Sequence, residues 1–235
     1  MTERVPSAQP GYYGFVRREI QPLLPPGGGH VLEVGCGQGA TLAWLREAGF
    51  AARTTGIELD PDAAAVARGH VDHLIEGDAE AAIASLAAES VDLALCLDVL
   101  EHLVDPWRAM ARLARALRPG GRVIVSVPNI RHYSVTLPLL WSGRWQYEEA
   151  GILDRTHLRF FSRAGAQGLL TQAGLAPAGH VDTGLEVRRR KELWKPLLAR
   201  TPWRDLAVFQ FVMCGRKPGP VRAAAPLPTR VLRAS

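Results

Sequence analysis

Along the chain, short unbroken apolar runs take turns with segments whose apolar positions recur every three or four residues. Runs of the first kind read as strands covered on both faces, and segments of the second kind as amphipathic helices. HVLEVG (30–35) predicts a first strand and residues 40–48 a first helix. TTGIELD (54–60) predicts a second strand, and a helix follows over 61–70, where Pro61 in the first turn costs no backbone hydrogen bond. HLIEGDA (73–79) is a short third strand, and VDLALCLDVL (91–100) a fourth that is apolar at nearly every position. Asp105 caps a helix stopped by the Pro-Gly-Gly of 119–121, and RVIVSVPN (122–129) is a fifth strand. A helix from Ser162 to Gly174, a sixth strand over 175–184 and a last strand over 205–217 complete the pattern. Strands alternating with helices predict an α/β domain built on a parallel sheet with crossover helices.

The rhythm breaks over residues 130–158, which carry His132, Tyr133, Trp141, Trp145, Tyr147 and His157 with little periodicity. They read as one long loop, and loops of that length in compact domains are usually functional. A basic stretch follows over 188–204, where Leu193, Trp194, Leu197 and Leu198 form an apolar stripe. Such a stripe either docks on its own sheet or lies on a membrane surface. The expected organisation is a cap segment over 1–29, one domain over 30–216 with the 130–158 insertion, and a disordered tail over 217–235 rich in Pro, Ala and Arg.

Composition narrows the class. The 235 residues, 47% of them hydrophobic, suit one globular domain with a full core. No apolar stretch is long enough for a membrane span, and MTERVPSAQPGYY lacks the apolar centre of a signal peptide, so a soluble cytoplasmic protein is expected. Cys36, Cys96 and Cys214 are far apart and lack metal spacing, which predicts reduced thiols and no metal site. The net charge of +5 lies mostly in the C-terminal part, and without a nucleic-acid-binding motif no nucleic-acid partner is expected.

Four acidic and glycine features suggest a ligand. Gly35, Gly37 and Gly39 follow the first strand, at the sheet edge where open α/β folds bind ligands, one residue short of a dinucleotide fingerprint. A plain turn is the competing reading. Glu58 ends the second strand, where an acid can accept both hydroxyls of a ribose; otherwise it is a solvated carboxylate. Asp78 is suited to an adenine amino group or to capping the next helix. Glu33 sits inside a buried strand, where a carboxylate is costly unless a cationic group pairs it.

VLEVGCGQG, GIELD, EGDAE, LDVLEHLVDP and LRPGGRVIVSVPN resemble the successive motifs of the class I S-adenosylmethionine-dependent methyltransferases, over roughly residues 12–180. The resemblance implies a Rossmann-like, seven-stranded, mostly parallel sheet with helices on both faces, an antiparallel final strand and an insertion after strand five. It implies S-adenosylmethionine as cofactor, with Glu33, Gly35, Cys36, Gly37 and Gly39 near its methionine part. Glu58 and Leu59 would meet the ribose, Asp78 and Ala79 the adenine, and Asp98 the methionine moiety, with His102 following strand four. GYYGFVRREI resembles the family's segment that folds over the cofactor, which makes Tyr12, Tyr13 and Arg17 cofactor or substrate candidates; they are equally well helix-surface residues.

The stretch from Pro128 to Ser162 is similar to a methyltransferase group associated with glycan synthesis. That similarity implies a sugar or sugar-conjugate acceptor, with Trp145 stacking on a ring and Arg155 and Arg159 holding an acidic group. A neighbouring family, similar to methionine biosynthesis protein W, implies instead a cofactor-binding partner of a biosynthetic enzyme; a non-sugar metabolite is a further alternative. Methyl transfer demands no metal, and a base only where the acceptor is a hydroxyl or a protonated amine. His157 oriented by Asp154 is the expected base, with a structural ion-pair knot as the competing reading and His132 in reserve.

Overall fold

A computed structural model describes residues 14–186 and 194–219. Seven strands form one sheet: β1 (Gly29–Val34), β2 (Ala51–Glu58), β3 (His73–Glu76), β4 (Val91–Leu97), β5 (Leu117–Pro128), β6 (Ala176–Thr183) and β7 (Gln210–Arg216). Their order is β3-β2-β1-β4-β5-β7-β6, with β7 antiparallel to both neighbours and the other pairings parallel. This is the expected Rossmann-like arrangement. Helices α1 (Ala40–Glu47), α2 (Pro61–Ala67), α3 (Ala79–Ser85), α4 (Pro106–Ala116), α5 (Tyr133–Ser142), α6 (Arg163–Gln172) and α7 (Lys195–Leu198) connect them.

The strands that read as unbroken apolar runs are central because both faces are covered. Leu32, Val34, Ala94 and Cys96 pack against α3, α4 and α6, while Val31, Leu93 and Leu95 pack against α1, α2 and the N-terminal 3-10 turn of Arg18–Leu23. Capping chemistry fixes the helix starts. The side chains of Asp60, Asp78, Asp105 and Ser162 each accept from a backbone amide of the first turn of α2, α3, α4 and α6.

Several boundaries differ from the sequence expectation. β2 begins at Ala51, ahead of Thr54, and α4 stops at Ala116, so Pro119–Gly121 lies within β5 at a register shift against β4. The insertion is not an uninterrupted loop: it contains α5, capped by His132 and ended by Gly143 at φ 63°. Its two ends are stitched together by the Asn129–Phe161 bridge. Asn129 is fully buried and donates through Nδ2 to the carbonyls of Asp205 and Val208, at 2.6 and 2.7 Å.

The apolar stripe before β7 docks on α5 rather than on the sheet. Trp194 meets Tyr133 edge-on at 5.0 Å, and Tyr133, Leu137, Trp194, Leu198 and Leu206 line an apolar cavity of about 340 Å³. Lys195, from the stretch whose alternative reading is a membrane surface, is buried and donates to the Gly184 carbonyl at 2.9 Å. Arg188–Lys191 and most of the tail lie outside the described residues. Among those described, no helix is long and apolar enough to cross a membrane. The three cysteines are buried and free, and burial pushes the Cys96 thiol up to about 12, so none is a ready nucleophile.

Candidate active site

The carboxyl ends of β1, β2, β3 and β4 gather the candidate cofactor residues on one edge of the sheet. Gly35, Gly37 and Gly39 all have positive φ, at 67°, 53° and 79°. A Cβ at Gly35 would also stand 2.5 Å from Val99 Cγ2, so the loop requires glycine on two counts. Glu58 is not the solvated acid of the competing reading. It is 6% exposed; its Oε2 accepts the Gly37 amide at 2.7 Å, and its Oε1 accepts the amides of Leu59 and Asp60 at 2.9 Å. The strand-two acid therefore ties the glycine loop to β2 as well as facing the edge. The Leu59 side chain is 62% exposed. Asp78 is exposed and caps α3 through Oδ1, with Ala79 as the first helical residue.

Glu33 sits between Gly56 of β2 and Leu95 of β4, is 3% exposed, and its Oε2 has no hydrogen-bond partner. Burial pushes its carboxyl up to about 8, opposed by Arg17 and reinforced by Glu58. A buried acid with an unpartnered oxygen beside a glycine cradle is what a ligand carrying an ammonium would find. Cys36 lines the same loop, and a Cβ on Gly56 would meet its Sγ at 2.5 Å.

Asp98 follows β4 at φ 59°, a conformation rare for a non-glycine residue. Its Oδ2 accepts from Arg17 Nη1 at 2.6 Å and its Oδ1 from Ser126 Oγ at 3.0 Å, with Gln210 Nε2 on the same oxygen. Arg17 also donates to Ser126 at 3.0 Å and pairs with Glu19. Burial opposes the guanidinium's charge, but Asp98 and Glu19 outweigh it and hold Arg17 above its ordinary value. Arg17 is thus a half-buried latch on Asp98 rather than a helix-surface residue. Ser126 and Gln210 are site residues that the sequence reading passed over. Tyr12 and Tyr13 lie outside the described residues.

On the insertion side the expected catalytic pair does not form. Asp154 Oδ1 is taken by the amide and hydroxyl of Thr156, at 2.8 and 2.6 Å, closing a local turn. His157 is oriented instead by the Ile152 carbonyl, 3.1 Å from Nδ1. Because a carbonyl only accepts, the neutral ring carries its proton on Nδ1 and its lone pair on Nε2. His102 is similarly turned, with Nδ1 3.3 Å from the Thr156 carbonyl and its ring edge-on to His157 at 4.8 Å. Burial, then the neighbouring His157, holds the His102 imidazole below its ordinary value, which favours the neutral form.

Glu101 completes this cluster. It is 1% exposed and neither carboxylate oxygen has a hydrogen-bond partner. Burial, followed by the nearby Asp98, holds its carboxyl well above the usual range. The signal for it was present in LEHL, an acid beside a histidine in an apolar run directly after a strand.

The remaining candidates stand apart. His132 caps α5, its Nδ1 2.8 Å from Ser134 Oγ, and packs on Phe209. Arg155 is exposed and pairs with Glu149 at 2.7 Å. Arg159 donates to the Val104 carbonyl at 2.6 Å. Trp145 packs edge-on against Phe160 and Tyr147, at 5.3 and 6.5 Å.

Residues 9–178 match the family model described as a methyltransferase domain. The chain belongs to this methyltransferase family. The domain is an S-adenosylmethionine-dependent methyltransferase domain, and the glycine cradle, the orphaned Glu33 and the strand-two acid fit that cofactor. The chain is 31% identical over 153 residues to a ubiquinone biosynthesis O-methyltransferase of Hydrogenovibrio crunogenus, covering 62% of this chain and 61% of that protein. It is 38% identical over 120 residues to the protein of the same description in Xylella fastidiosa, covering 47% and 46%. The chain therefore spans about half the length of the curated relatives it matches. An S-adenosylmethionine-dependent methyltransferase of Thermotoga maritima shares the fold, with TM-score 0.60, 22% identity, and coverage of 85% of this chain and 86% of that one. These relatives do not support the expected glycan subgroup.

Proposed function

We propose that the protein transfers a methyl group from S-adenosylmethionine to a hydroxyl of a non-sugar small molecule. The observation that carries the acceptor reading is the similarity to ubiquinone biosynthesis O-methyltransferases, which favours this alternative over a sugar acceptor. The apolar cavity beside α5 favours an acceptor with an apolar body. Glu33 and the glycine loop would hold the cofactor's methionine part, with Glu33 pairing to its ammonium, Glu58 would hold the ribose, and Asp78 with Ala79 would meet the adenine. Bound there, S-adenosylmethionine supplies a sulfonium methyl that an oxygen lone pair takes in line, the C–S bond pair returning to a neutral thioether.

The protein's own contribution is orientation and proton removal. Well-oriented reactants save up to roughly 7–11 kcal/mol of barrier. The acceptor hydroxyl must lose a proton, and the Glu101, His102 and His157 cluster is the proposed place for that loss. His132 and Asp154 hold local turns and have no proposed part in the chemistry. The test incubates the purified protein with S-adenosylmethionine and hydroxylated aromatic compounds with and without an isoprenoid tail, and follows S-adenosylhomocysteine by mass spectrometry. Formation of an O-methyl ether supports the proposal. Turnover with nucleotide sugars and none with these acceptors would overturn it.

A further inference from the structure

The cluster of Glu101, His102 and His157 has a geometry that proton removal alone does not require. Its three ligand atoms lie within 4.8 Å of one another. Donors held about 2.1 Å from one ion stand at most about 4.2 Å apart, so the widest pair needs to close by roughly half an ångström. Both imidazoles have Nδ1 against a backbone carbonyl, His157 against Ile152 and His102 against Thr156. Each therefore keeps a lone pair on Nε2, the tautomer a metal-binding histidine needs, fixed in the usual way by the opposite ring nitrogen. Glu101 is the independent observation. It is 1% exposed with both oxygens unpartnered; Arg17 acts on it only from beyond hydrogen-bond distance, being committed to Asp98, Ser126 and Glu19. A buried, unpartnered acid with a ligand nitrogen of each of two imidazoles within 4.8 Å is without compensation unless a cation stands between them.

We propose that Glu101, His102 and His157 bind a divalent transition-metal ion that also ligates the acceptor hydroxyl. Two imidazoles and one carboxylate select borderline ions such as Zn²⁺, Co²⁺, Mn²⁺ or Fe²⁺ over Mg²⁺, which prefers oxygen donors. Three protein ligands leave coordination positions open, as in catalytic rather than structural sites. A hydroxyl bound there loses its proton at neutral pH because the ion stabilises the alkoxide or phenoxide, and the proton passes to solvent. The ionised oxygen then forms the O–C bond. The catalytic use of the ion rests on the proposed methyl transfer; its binding does not. The sequence expectation of no metal site is what this inference revises.

The test uses the full chain, stripped with a chelator and titrated with Co²⁺ alone, read by calorimetry and by the visible absorption bands of the bound ion. One Co²⁺ per chain is expected, with at least a roughly 10-fold loss of affinity in Glu101→Gln, His102→Ala and His157→Ala. His180→Ala, on the exposed β6, serves as the unaffected control. S-adenosylhomocysteine titrations report whether each variant remains folded, so a collapsed Glu101→Gln leaves the two histidine variants to decide. Absence of stoichiometric Co²⁺ binding, or equal binding in all variants, would overturn the site. Methyl transfer at full rate in the chelated enzyme would overturn the role in hydroxyl ionisation. Co²⁺ binding without S-adenosylhomocysteine formation from any hydroxylated acceptor would instead count against the O-methyltransferase reading and leave the metal site standing.

Discussion

On the glycine-loop side of the sheet's carboxyl edge, Glu58 accepts three backbone amides, whereas on the insertion side Glu101 is more deeply buried and its carboxylate accepts none. The first acid is satisfied within the fold, so it serves to hold a shape. The second is left with desolvation and no compensation, so it serves to attract charge. The glycine-loop side is thus built from backbone geometry and the insertion side from side chains brought together across the chain. Glu33 stands between these cases, lying on the glycine-loop side but lacking a hydrogen bond to one oxygen.

The largest expected effect breaks the shape. Gly37 has φ 53° and donates its amide to Glu58, so Gly37→Val strains the backbone and removes the anchor's geometry. Affinity for S-adenosylhomocysteine should fall by at least about 100-fold, roughly 2.7 kcal/mol, with the circular dichroism spectrum retained. Glu58→Ala should cost roughly 10–100-fold in the same titration, since hydrogen bonds to a charged group are worth about 1.5–3 kcal/mol each before water replaces them. An unchanged affinity in either variant removes the ligand from this loop.

Glu33 sharpens the comparison through pH. Burial pushes its folded-state carboxyl up to about 8, above the ordinary value it regains on unfolding. Between those values the folded protein holds the extra proton, so this group's contribution to stability is complete below the unfolded pKa and is lost as pH rises to about 8. Glu33→Gln should therefore raise the melting temperature at pH 9, on the order of 5 °C, with the gap closing toward pH 5. Binding of S-adenosylhomocysteine should strengthen from pH 6 to 8 in the wild type, as Glu33 ionises to meet the ammonium. It should be weaker and nearly flat in the variant. A variant less stable than wild type at pH 9 would contradict this reading. The smallest effect belongs to Arg155→Ala: with its exposed side chain paired to Glu149, kcat and KM for the acceptor should change by less than about twofold.

How much of each side could be read from sequence follows from the same contrast. The glycine loop, Asp105, Ser162 and Glu58 announce themselves because turn, cap and strand-end chemistry is local. Helix α5 does not: YSVTLPLLWS is apolar nearly all round, includes Pro138, and leaves Leu137, Leu140 and Trp141 exposed, so no buried stripe marks its period. The pairing of Asp154 with His157 fails because a short turn gives Asp154 a nearer partner two residues on, in Thr156. Glu101 was missed because LEHL marks an acid beside a histidine but not their meeting with His157 of the insertion, a contact made only by the folded chain. Arg17 meeting Asp98 is another contact of that kind.

The separation of the two sides is tested most directly by calorimetric titration of S-adenosylhomocysteine into wild type, Glu58→Ala and His157→Ala at one pH. The account predicts tight binding by the wild type, a roughly 10–100-fold loss in Glu58→Ala, and no change in His157→Ala despite a fall in turnover. Failure of the wild type to bind, or an equal loss in both variants, would contradict it.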